Sequence, residues 1–349
     1  MAAATPFLGV KLEGQDRDLA PLAAAVSVED NDRLVDEARC TLRDPDGNGA
    51  ALFTNGRKLT IELGWQGEHA VLFEGVIVES RPEAGATARS VTVVARDLSH
   101  LMSQDARTES YPPGTLDTIV QSVAGRNGWT GAKASIVCDP NPELTESNDL
   151  TQHNKSDYQY LQELAERYGA RAFVEHNDGA SKFYWVSNRT LLEAEPLGTL
   201  QYCRGINKLI EFRYESVAAR SARQVVASAV DPGTGEVRTT TGTASPPPAD
   251  GSTLPAATPG PTRAAGQPSD PARAERTTIF DPTRVLGLRG TGRAVGTVML
   301  RAKGKVEITG IAPWAEGSWY VSKATHSWRD TSTAQLRRAS YETSFTATR

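Results

Sequence analysis

Residues 155–169 read KSDYQYLQELAERYG, and this segment decides the character of the middle of the chain. It opens with a capping-box pattern, in which the Ser156 oxygen can accept a hydrogen bond from the backbone N–H of Gln159. An apolar stripe at helical spacing follows, made of Tyr158, Leu161, Leu164, Ala165 and Tyr168. Gly169 then provides a C-terminal stop. The segment therefore predicts a capped amphipathic helix.

The neighbouring residues extend this helix into a small α+β module. Residues 115–128 place apolar side chains at helical spacing and end in a glycine, which predicts a second helix upstream. Downstream, residues 170–176 and 182–187 are strand-like and flank Asp178-Gly179, a pair typical of a hairpin turn. We therefore expect two helices and a hairpin between residues 106 and 205.

Both flanks of this module are predicted to be β-structure. In Lys58–Trp65, apolar and polar residues alternate, which is the pattern of a half-buried strand. Further strands are expected at 71–79, 89–95, 210–215, 222–230, 295–300, 305–309, 319–328 and 341–348. Short strands separated by turn residues indicate a barrel or a sandwich.

One segment differs in composition from the rest. Residues 243–274 are rich in Pro, Gly, Ala, Ser and Thr, with almost no large apolar side chains. Such a segment cannot bury a core, so we predict a disordered insertion, a tether or a partner-docking loop.

Composition excludes several classes of protein. Of the 349 residues 39% are hydrophobic, mean hydropathy is −0.41 and net charge is −4, without a Lys/Arg run. These values describe a soluble protein and argue against general binding to nucleic acid or acidic membranes.

Targeting features are also missing from the sequence pattern. The N-terminus has no signal-peptide pattern, no run of about 18 apolar residues occurs, and so stable membrane insertion is not expected. The three cysteines, Cys40, Cys138 and Cys203, are widely spaced and odd in number, which favours reduced thiols. We expect folding and assembly in the cytoplasm of the producing cell.

Candidate metal and nucleophile sites are weak. Asp97 and His100 could supply two metal ligands, but a metal site needs more, so a cap or surface role is expected. His326 could activate Ser322 or Ser344, yet no nucleophile elbow accompanies it, and we interpret it as a strand residue facing a neighbour or a lumen. His153 and His176 lie in different loops and are expected to be solvated.

Three further patterns have a chemical and a structural interpretation. Asp157, Glu163 and Glu166 could be paired hydrolase carboxylates, but their helix positions favour a solvated polar face. Residues 287–296, GLRGTGRAVG, lack the Gly-Lys-Ser/Thr of a phosphate loop and are expected to be a flexible approach to the last strands. The aromatic residues could form a sugar platform, although core or subunit-interface positions are favoured, and they are Trp314, Trp319, Tyr320 and Trp328.

Four stretches, in this order, resemble one protein family. The first is Leu59–Gly64 followed by Phe73-Glu74-Gly75-Val76-Ile77, and the second is ARDLSHL at 95–101. The third, 156–169, is similar to the pattern S-D-x-x-x-L-x-x-L-A-E-x-x-G. The fourth comprises the C-terminal strands around residues 317–321, 326–328 and 341–345. The family is that of phage late-control protein D, the VgrG hub domains and the baseplate hub of contractile tails.

The resemblance implies a β-rich α+β fold with two tail-tube-like antiparallel β-barrels joined by the α+β module. It places the first barrel at residues 1–105, the module at 106–205 and the second barrel, with the insertion, at 206–349. The residues that carry it, expected to be structural, are Phe73, Gly75, Asp97, Ser156, Asp157, Leu161, Leu164, Ala165, Gly169, Tyr320 and His326. No catalytic residue, cofactor or metal is expected.

The resemblance also implies a function. Three subunits would form a pseudo-hexameric adaptor between a hexameric inner tube and a trimeric spike, as part of a phage virion or an injection particle. The chain stops after the second barrel, so a separate spike protein is expected, together with baseplate wedge or LysM-type adaptor partners. The alternatives are a carbohydrate- or cell-wall-binding adhesin and a tail-associated hydrolase.

Overall fold

The architecture is seen in a computed structural model. It describes residues 5–85, 88–145, 150–177, 179–205, 208–216, 224–230, 237–243, 262–263, 287–332 and 338–349. The fold is rich in β-strands with few helices, and this confirms the predicted fold class.

The first part of the chain is a six-stranded antiparallel sheet. Its strands are β1 (Pro6–Leu12), β2 (Ala23–Asn31), β3 (Glu37–Arg43), β4 (Lys58–Trp65), β5 (Glu68–Ala84) and β6 (Arg89–Asp97), with a short helix, α1 (Gly49–Leu52), before β4. They pair in the order β1-β4-β5-β6-β3-β2. The alternation in β4 puts Leu59, Ile61 and Leu63 into the core with no exposed surface, as predicted.

The middle part is the α+β module. Its elements are β7 (Ala106–Ser110), β8 (Gly114–Thr115), α2 (Leu116–Arg126), β9 (Ala134–Ile136), β10 (Glu143–Leu144), β11 (Thr151–Ser156), α3 (Asp157–Arg167), β12 (Ala170–Asn177), β13 (Ala180–Ser187) and α4 (Asn188–Glu193). Helices α2 and α3 and the β12–β13 hairpin enclose one hydrophobic core, which also receives Leu98 and Met102 from a 3-10 helix (Leu98–Ser103).

The last part contains β14 (Thr199–Tyr202), β15 (Lys208–Ser216), β16 (Gln224–Val230), β17 (Val237–Thr243), β18 (Thr262–Arg263), β19 (Leu288–Val295), β20 (Lys305–Thr309), β21 (Gly317–Asp330) and β22 (Ala339–Thr348). Six of these strands close a barrel in the order β14-β20-β21-β22-β19-β15, and β15 returns to pair with β14. Its core includes Leu209, Val306, Trp319 and Phe345. Strands β16, β17 and β18 form a separate small sheet.

One ladder joins the two six-stranded units. β2 and β21 pair antiparallel from Ala25↔Arg329 to Asn31↔Lys323, so that twelve strands form one hydrogen-bonded sheet. At the other edge, the indole N–H of Trp65 donates to the Gly296 carbonyl at 2.7 Å, and the ring lies 5.9 Å from that of Tyr341.

The two units share one strand order and differ in the direction of the first strand, since β1 pairs antiparallel with β4 whereas β14 pairs parallel with β20. Numbered within its own unit, each sheet has the order 1-4-5-6-3-2. The pairing registers also agree, because Glu37↔Arg96 in the first unit corresponds to Arg289↔Thr348 in the second. The fifth strand of each unit has a bulge, at Val78 in β5 and at Ser322 in β21. In both units the bulge comes one residue after an equivalent pair in the ladder to the sixth strand. The closing β14–β15 ladder has no counterpart between β1 and β2 in the described pairings.

Two predictions for residues 287–300 were wrong. Residues 287–296 are not a flexible approach, since β19 is a barrel strand whose glycines make room for aromatic rings. A Cβ at Gly290 would lie 2.3 Å from the Phe212 ring, and one at Gly292 would lie 2.5 Å from that of Phe345. Residues 296–300 are not a strand, because the chain leaves the sheet where the Thr297 amide donates to the Thr343 hydroxyl.

Most of the predicted insertion, 243–274, lies outside the described residues; Thr243 ends β17 and 262–263 are β18. Asp178 of the predicted hairpin turn is also outside them. The domain boundaries at 105 and 206 stay predictions, and β14, which precedes residue 206, pairs with the barrel strands β20 and β15.

Candidate functional site

A buried cluster of charged side chains lies where the three parts of the chain meet. We call it the junction, and it consists of Asp30, Asp32, Asp36, Asp97, Arg171, Glu175, Arg301 and Lys303. The first four come from the first sheet and its β2–β3 loop, Arg171 and Glu175 come from β12, and Arg301 and Lys303 come from the β19–β20 loop.

Lys303 is at the centre of the junction. Its ammonium group contacts Asp30 Oδ1 at 2.5 Å, the Asn31 carbonyl at 2.9 Å and Asp36 Oδ2 at 3.5 Å. It also lies 5.0 Å from the centre of the Phe173 ring on β12, a cation–π distance. One ammonium group therefore contacts the first sheet and the α+β module while its backbone belongs to the second barrel.

The backbone of Lys303 adopts a left-handed conformation, with φ of +65°. A non-glycine residue there costs free energy unless its surroundings hold it in place. The equivalent residue in the first unit is Gly56, with φ of +87°, and both make the same backbone bond: Gly56 donates to Ile77 and Lys303 donates to Val321. The duplicated turn thus has a permissive glycine in one unit and a charged side chain in the other.

Arg301 makes a second connection among the three parts. Its guanidinium group lies 3.0 Å from Asp30 and 2.6 Å from Glu175 on β12. The Ala302 amide also donates to Asp30 Oδ2 at 3.0 Å, so the β19–β20 loop holds this carboxylate through three successive residues. Such a pair is costly to break because the remaining carboxylate would be buried without compensation.

A third connection involves the β2–β3 loop and the barrel. Arg171 lies 3.6 Å from Asp32, and the Tyr320 hydroxyl donates to the same carboxylate at 3.3 Å. The three parts of the chain are therefore held together at three neighbouring carboxylates, those of Asp30, Asp32 and Asp36.

The pKa values in the junction follow from burial and charge. Burial opposes the charged form of Lys303, but Asp30 and Asp36 hold its pKa well above the usual value. Burial opposes the charge of Asp30 as well, and Lys303 and Arg301 nevertheless keep its pKa below the ordinary one. Burial raises the pKa of Asp36 well above its usual value, and the neighbouring Asp30 and Asp97 add to this shift. Asp30 and Lys303 therefore form the closest ion pair, and the pKa of the neighbouring Asp36 is shifted in the direction opposite to that of Asp30.

Asp97, predicted from the Asp-Leu-Ser motif, borders this cluster. One carboxylate oxygen accepts the Ser99 amide at 2.6 Å and caps the 3-10 helix, and the other accepts the Asp36 amide at 2.6 Å. Burial raises its pKa to about 6. Both oxygens are engaged by backbone amides, which agrees with the expected cap.

The helix motif is placed as predicted. Ser156 and Gln159 form both bonds of the capping box, and Leu161, Leu164 and Ala165 are buried in the module core. Gly169 follows the last helical turn with φ of +62°. Glu163 and Glu166 are exposed on the polar face, as expected.

Asp157 differs from the expectation of a solvated carboxylate. It is 2% exposed, accepts hydrogen bonds from Asn127 at 2.7 Å and Gln152 at 3.0 Å, and lies 3.3 Å from Arg107 and 3.5 Å from Arg126. Asp157 is buried because it occupies the first position of α3, and β7, α2 and β11 all pack around that end of the helix. It lies among structural partners and not opposite a second acid across a cleft.

The Phe73-x-Gly75 motif has a steric basis. Phe73 is buried in the first core, and a Cβ at Gly75 would lie 2.1 Å from the Arg96 carbonyl oxygen of β6 and 2.5 Å from the Phe73 ring. Only glycine fits there without moving the β5–β6 ladder.

His326 points inward and has no exposed surface. Its Nε2–H donates to the Leu300 carbonyl at 2.9 Å, and Nδ1 then accepts from the Tyr341 hydroxyl at 2.9 Å. Burial first, and Arg301 second, lower its pKa to about 4, so the ring is neutral. These bonds hold the 296–300 loop on the barrel and leave neither ring nitrogen available to Ser322 or Ser344.

The remaining chemical alternatives also meet structural explanations. His176 is not solvated, as had been expected, because its ring contacts Glu74 at 3.1 Å between β12 and β5. Of the four aromatic residues considered as a sugar platform, only Trp314 is largely exposed, at 41%, whereas Trp319, Tyr320 and Trp328 are buried. Within the described part of the chain, no group of three or more His, Cys, Asp or Glu side chains is arranged to hold a metal ion.

Sequence reasoning did not identify the junction. One local signal existed, since residues 29–37, EDNDRLVDE, carry five acids from the end of β2 to the start of β3. The cations that hold Asp30, Arg301 and Lys303, lie about 270 residues further along the chain, and no sequence spacing joins the two sets.

Comparison with known proteins identifies the family. Residues 39–332 match the family model of the phage tail baseplate hub (GPD). This match covers most of the chain. The chain belongs to the phage tail baseplate hub family. No curated protein matches this hub protein.

Solved structures show the same fold for the hub protein at low sequence identity. A tail protein from Neisseria meningitidis MC58 has a TM-score of 0.64 at 13% identity, covering 99% of this chain and 97% of its own. The 43 kDa tail protein of prophage MuSo2 from Shewanella oneidensis reaches 0.66 at 10%, with coverage of 99% and 98%. The E. coli c3393 protein, a type VI secretion component described as similar to T4 tail proteins gp27 and gp5, reaches 0.62 at 11%, covering 97% and 76%.

The hub protein is thus a member of a phage tail baseplate family, and this family is structural. Among the described residues, no helix is long and apolar enough to cross a membrane.

Proposed function

We propose that three copies of this protein form an adaptor ring between a hexameric inner tube and a trimeric spike in a contractile tail or injection machine. The duplicated six-stranded unit is the observation that carries this proposal. Each chain holds two units with the same strand order and, from the second strand to the sixth, the same registers and bulge position, so a trimer presents six similar units on one side while keeping threefold symmetry on the other.

The role is mechanical, without covalent chemistry. The buried polar residues that could have suggested catalysis are occupied by structural contacts: Asp97 caps a helix, Asp157 pairs with arginines, and His326 bonds a loop. The junction supports a mechanical role, since it fixes the two sheets and the module against one another, and an adaptor under load has to keep its two faces in one orientation.

The partners are proposed from the same reasoning. An inner-tube ring would contact the six-unit face, a separate spike protein would contact the threefold face, and baseplate wedge or LysM-type components would contact the periphery. One solved structure of similar fold is a chain of a Francisella PdpA–VgrG complex, which supports a hub that binds other machine components.

Cryo-electron microscopy of sheathed particles from the producing cells tests the proposal. We expect three copies between the spike and the first tube ring. Intact, spiked particles without this protein, or particles that carry it only on peripheral fibres, would contradict the adaptor role and favour an adhesin.

A further inference from the structure

Two strand segments have hydrogen-bonding edges that no described strand covers. In β5, residues 79–84 pair with β6 on one side, while β4 ends opposite Val76 on the other. In β15, residues 211–216 pair with β19, and β14 reaches only Leu209 on the opposite side. Open edges of this length invite another strand.

The duplication shows what pairs with these edges in the equivalent positions. Residues 79–84 of β5 correspond to 323–328 of β21, which follow the same bulge. Residues 211–216 of β15 correspond to residues 25–30 of β2. The register shift fixes this correspondence, since it falls one residue before the segment in each strand, at Ile210 in β15 and at Ala24 in β2. Within the chain, β2 pairs with that very segment of β21.

We infer that β15 of one subunit pairs antiparallel with residues 79–84 of β5 in the next copy, repeating between chains the β2–β21 ladder found within one chain. This inference rests on the proposed trimer and assigns its contact. Within the described residues each copy has one open edge of each kind, so the contact is head-to-tail, and three copies close the ring.

Transferring the β2–β21 register gives a definite set of opposed residues. Ser27↔Ser327 becomes Arg213 opposite Glu83, and Glu29↔Thr325 becomes Glu215 opposite Arg81. Both transferred pairs join opposite charges, although the register was taken from strands that do not carry them. All four side chains are on exposed or partly exposed strand positions, and Arg213 is 82% exposed.

Backbone geometry places these charges in close pairs. The Asp32 amide donates to the Ser322 carbonyl at 3.0 Å, which makes this a hydrogen-bonded pair. Since hydrogen-bonded and non-hydrogen-bonded pairs alternate, Ser27↔Ser327 and Glu29↔Thr325 are non-hydrogen-bonded, the type with the shorter separation. Arg213–Glu83 and Glu215–Arg81 inherit that geometry.

Pro82 gives the edge selectivity. Pro82 corresponds to His326, and at that position the backbone N–H and carbonyl face the added strand. Pro82 has no N–H, so it can only accept a hydrogen bond from Tyr214 through its carbonyl. A proline at an edge discourages indiscriminate strand addition. The second copy of this chain is therefore favoured over an arbitrary partner by its matched charges and by continuity with the existing β2–β21 interface.

Disulfide trapping between differently tagged chains tests the register. One chain carries Glu83→Cys and the other Arg213→Cys, both in a background with Cys138→Ser and Cys203→Ser, so that any heterodisulfide must join two molecules. We expect a heterodisulfide after mild oxidation. The matched control uses Glu215→Cys in place of Arg213→Cys. Positions 215 and 83 are diagonal neighbours about 7–8 Å apart in the proposed ladder, so the heterodisulfide band should be lost.

Charge reversal tests the same contact without cysteines. Arg213→Glu should raise the concentration at which half the trimer dissociates roughly tenfold, since attraction becomes repulsion at each interface. Adding Glu83→Arg in the same chain should restore it. Circular dichroism melting of each variant confirms that the subunit remains folded.

The outcomes separate this inference from the proposed function. A trimer by light scattering with the expected heterodisulfide supports both. A trimer in which only the control pair cross-links, or neither pair does, overturns the ladder and leaves the adaptor proposal standing. A hub that stays monomeric at every accessible concentration and in assembled particles contradicts the trimer and the ladder together.

Discussion

At the scale of single residues, the junction shows how one cation can determine the packing of a large chain. Lys303 combines a left-handed backbone, a buried ammonium group and contacts to Asp30, Asp36 and the Phe173 ring. The left-handed backbone and the buried charge are each unfavourable alone. They are tolerated because Asp30 neutralises the charge and the surrounding packing holds the backbone.

Replacing Lys303 by methionine should therefore be strongly destabilising. Lys303→Met keeps much of the side-chain volume but leaves Asp30 buried with Arg301 alone, and a loss of about 3–5 kcal/mol in the free energy of unfolding is expected. Urea unfolding measures it. Lys323→Met is the matched control, since that lysine forms an exposed pair with Glu29 and should cost less than about 1 kcal/mol. Equal losses in both variants would contradict the central role of Lys303.

Asp97 should give stability a recognisable pH dependence. Its pKa is raised to about 6 by burial, so between its ordinary value and pH 6 the folded state binds more protons than the unfolded state. Stability from this group is therefore present at low pH and is lost as pH rises through about 6. In Asp97→Asn, the decline between pH 4 and 7 should be smaller than in the wild type by about 2 kcal/mol.

The measurement is a series of urea unfolding curves at half-unit pH steps. Asp97→Asn should be less stable overall, because an amide nitrogen would face the Asp36 or Ser99 N–H. The slope and not the absolute stability is the test. Parallel pH profiles for both proteins would show that Asp97 does not titrate in this range.

At the scale of elements, α3 and the glycine-containing strands explain why short motifs are so constrained. Helix α3 is defined by local features, a capping box at one end and a left-handed glycine at the other, and it presents one apolar face to the module core. The strand motifs are defined by neighbours instead. Gly75 is required by the backbone of β6, and Gly290 and Gly292 by aromatic rings from β15 and β22.

Truncation of the apolar face of α3 should destabilise the module. Leu161 has no exposed surface, so Leu161→Ala should cost about 2–5 kcal/mol, and Leu161→Asp should unfold the module by burying a charge. Glu163→Ala, on the exposed face, is the control and should have little effect. Thermal unfolding monitored by circular dichroism measures both, and a normal transition for Leu161→Asp would contradict the packing of this helix.

Substitution of Gly75 should disrupt the β5–β6 ladder. A Cβ would lie 2.1 Å from the Arg96 carbonyl, and a backbone atom cannot move aside without breaking the ladder. Gly75→Ala should therefore lower the unfolding free energy by about 2 kcal/mol or more. Gly114→Ala provides the comparison, since its Cβ would meet no atom within 4 Å and should be tolerated. Similar unfolding midpoints for the two variants would be evidence against the steric explanation.

At the scale of the whole molecule, two connections make the three parts one unit. The β2–β21 ladder joins the sheets through backbone bonds, and the junction joins both sheets to the α+β module through charges. The proposed adaptor role requires such connections, because relative motion of the two units would break the proposed match to a hexameric tube.

Calorimetry should reveal this coupling. The wild type is expected to unfold in one transition, whereas Arg301→Met, which removes the contacts to both Asp30 and Glu175, should separate the module from the two six-stranded units and split the transition. Arg293→Met, which removes an exposed pair with Glu342 within one barrel, should leave a single transition. Separate transitions already in the wild type would show that the junction does not couple the parts.

The sequence by itself determined those features that depend on near neighbours along the chain. The alternation in Lys58–Trp65 and the caps of α3 were predicted and observed because a strand's two faces and a helix's ends are encoded within a few residues. The ordered motifs were enough to predict a β-rich hub fold, and the family match confirms that prediction.

Only the tertiary structure decided the contacts that join distant residues. It placed Lys303 against Asp30, buried Asp157 and His326, made 288–295 a barrel strand, and joined β2 to β21. No local pattern specifies these features, because burial and charge pairing depend on which segments pack together. In this chain those segments are separated by up to about 300 residues, as Ala25 and Arg329 are, and it is the folding of the two sheets that brings them within hydrogen-bonding distance.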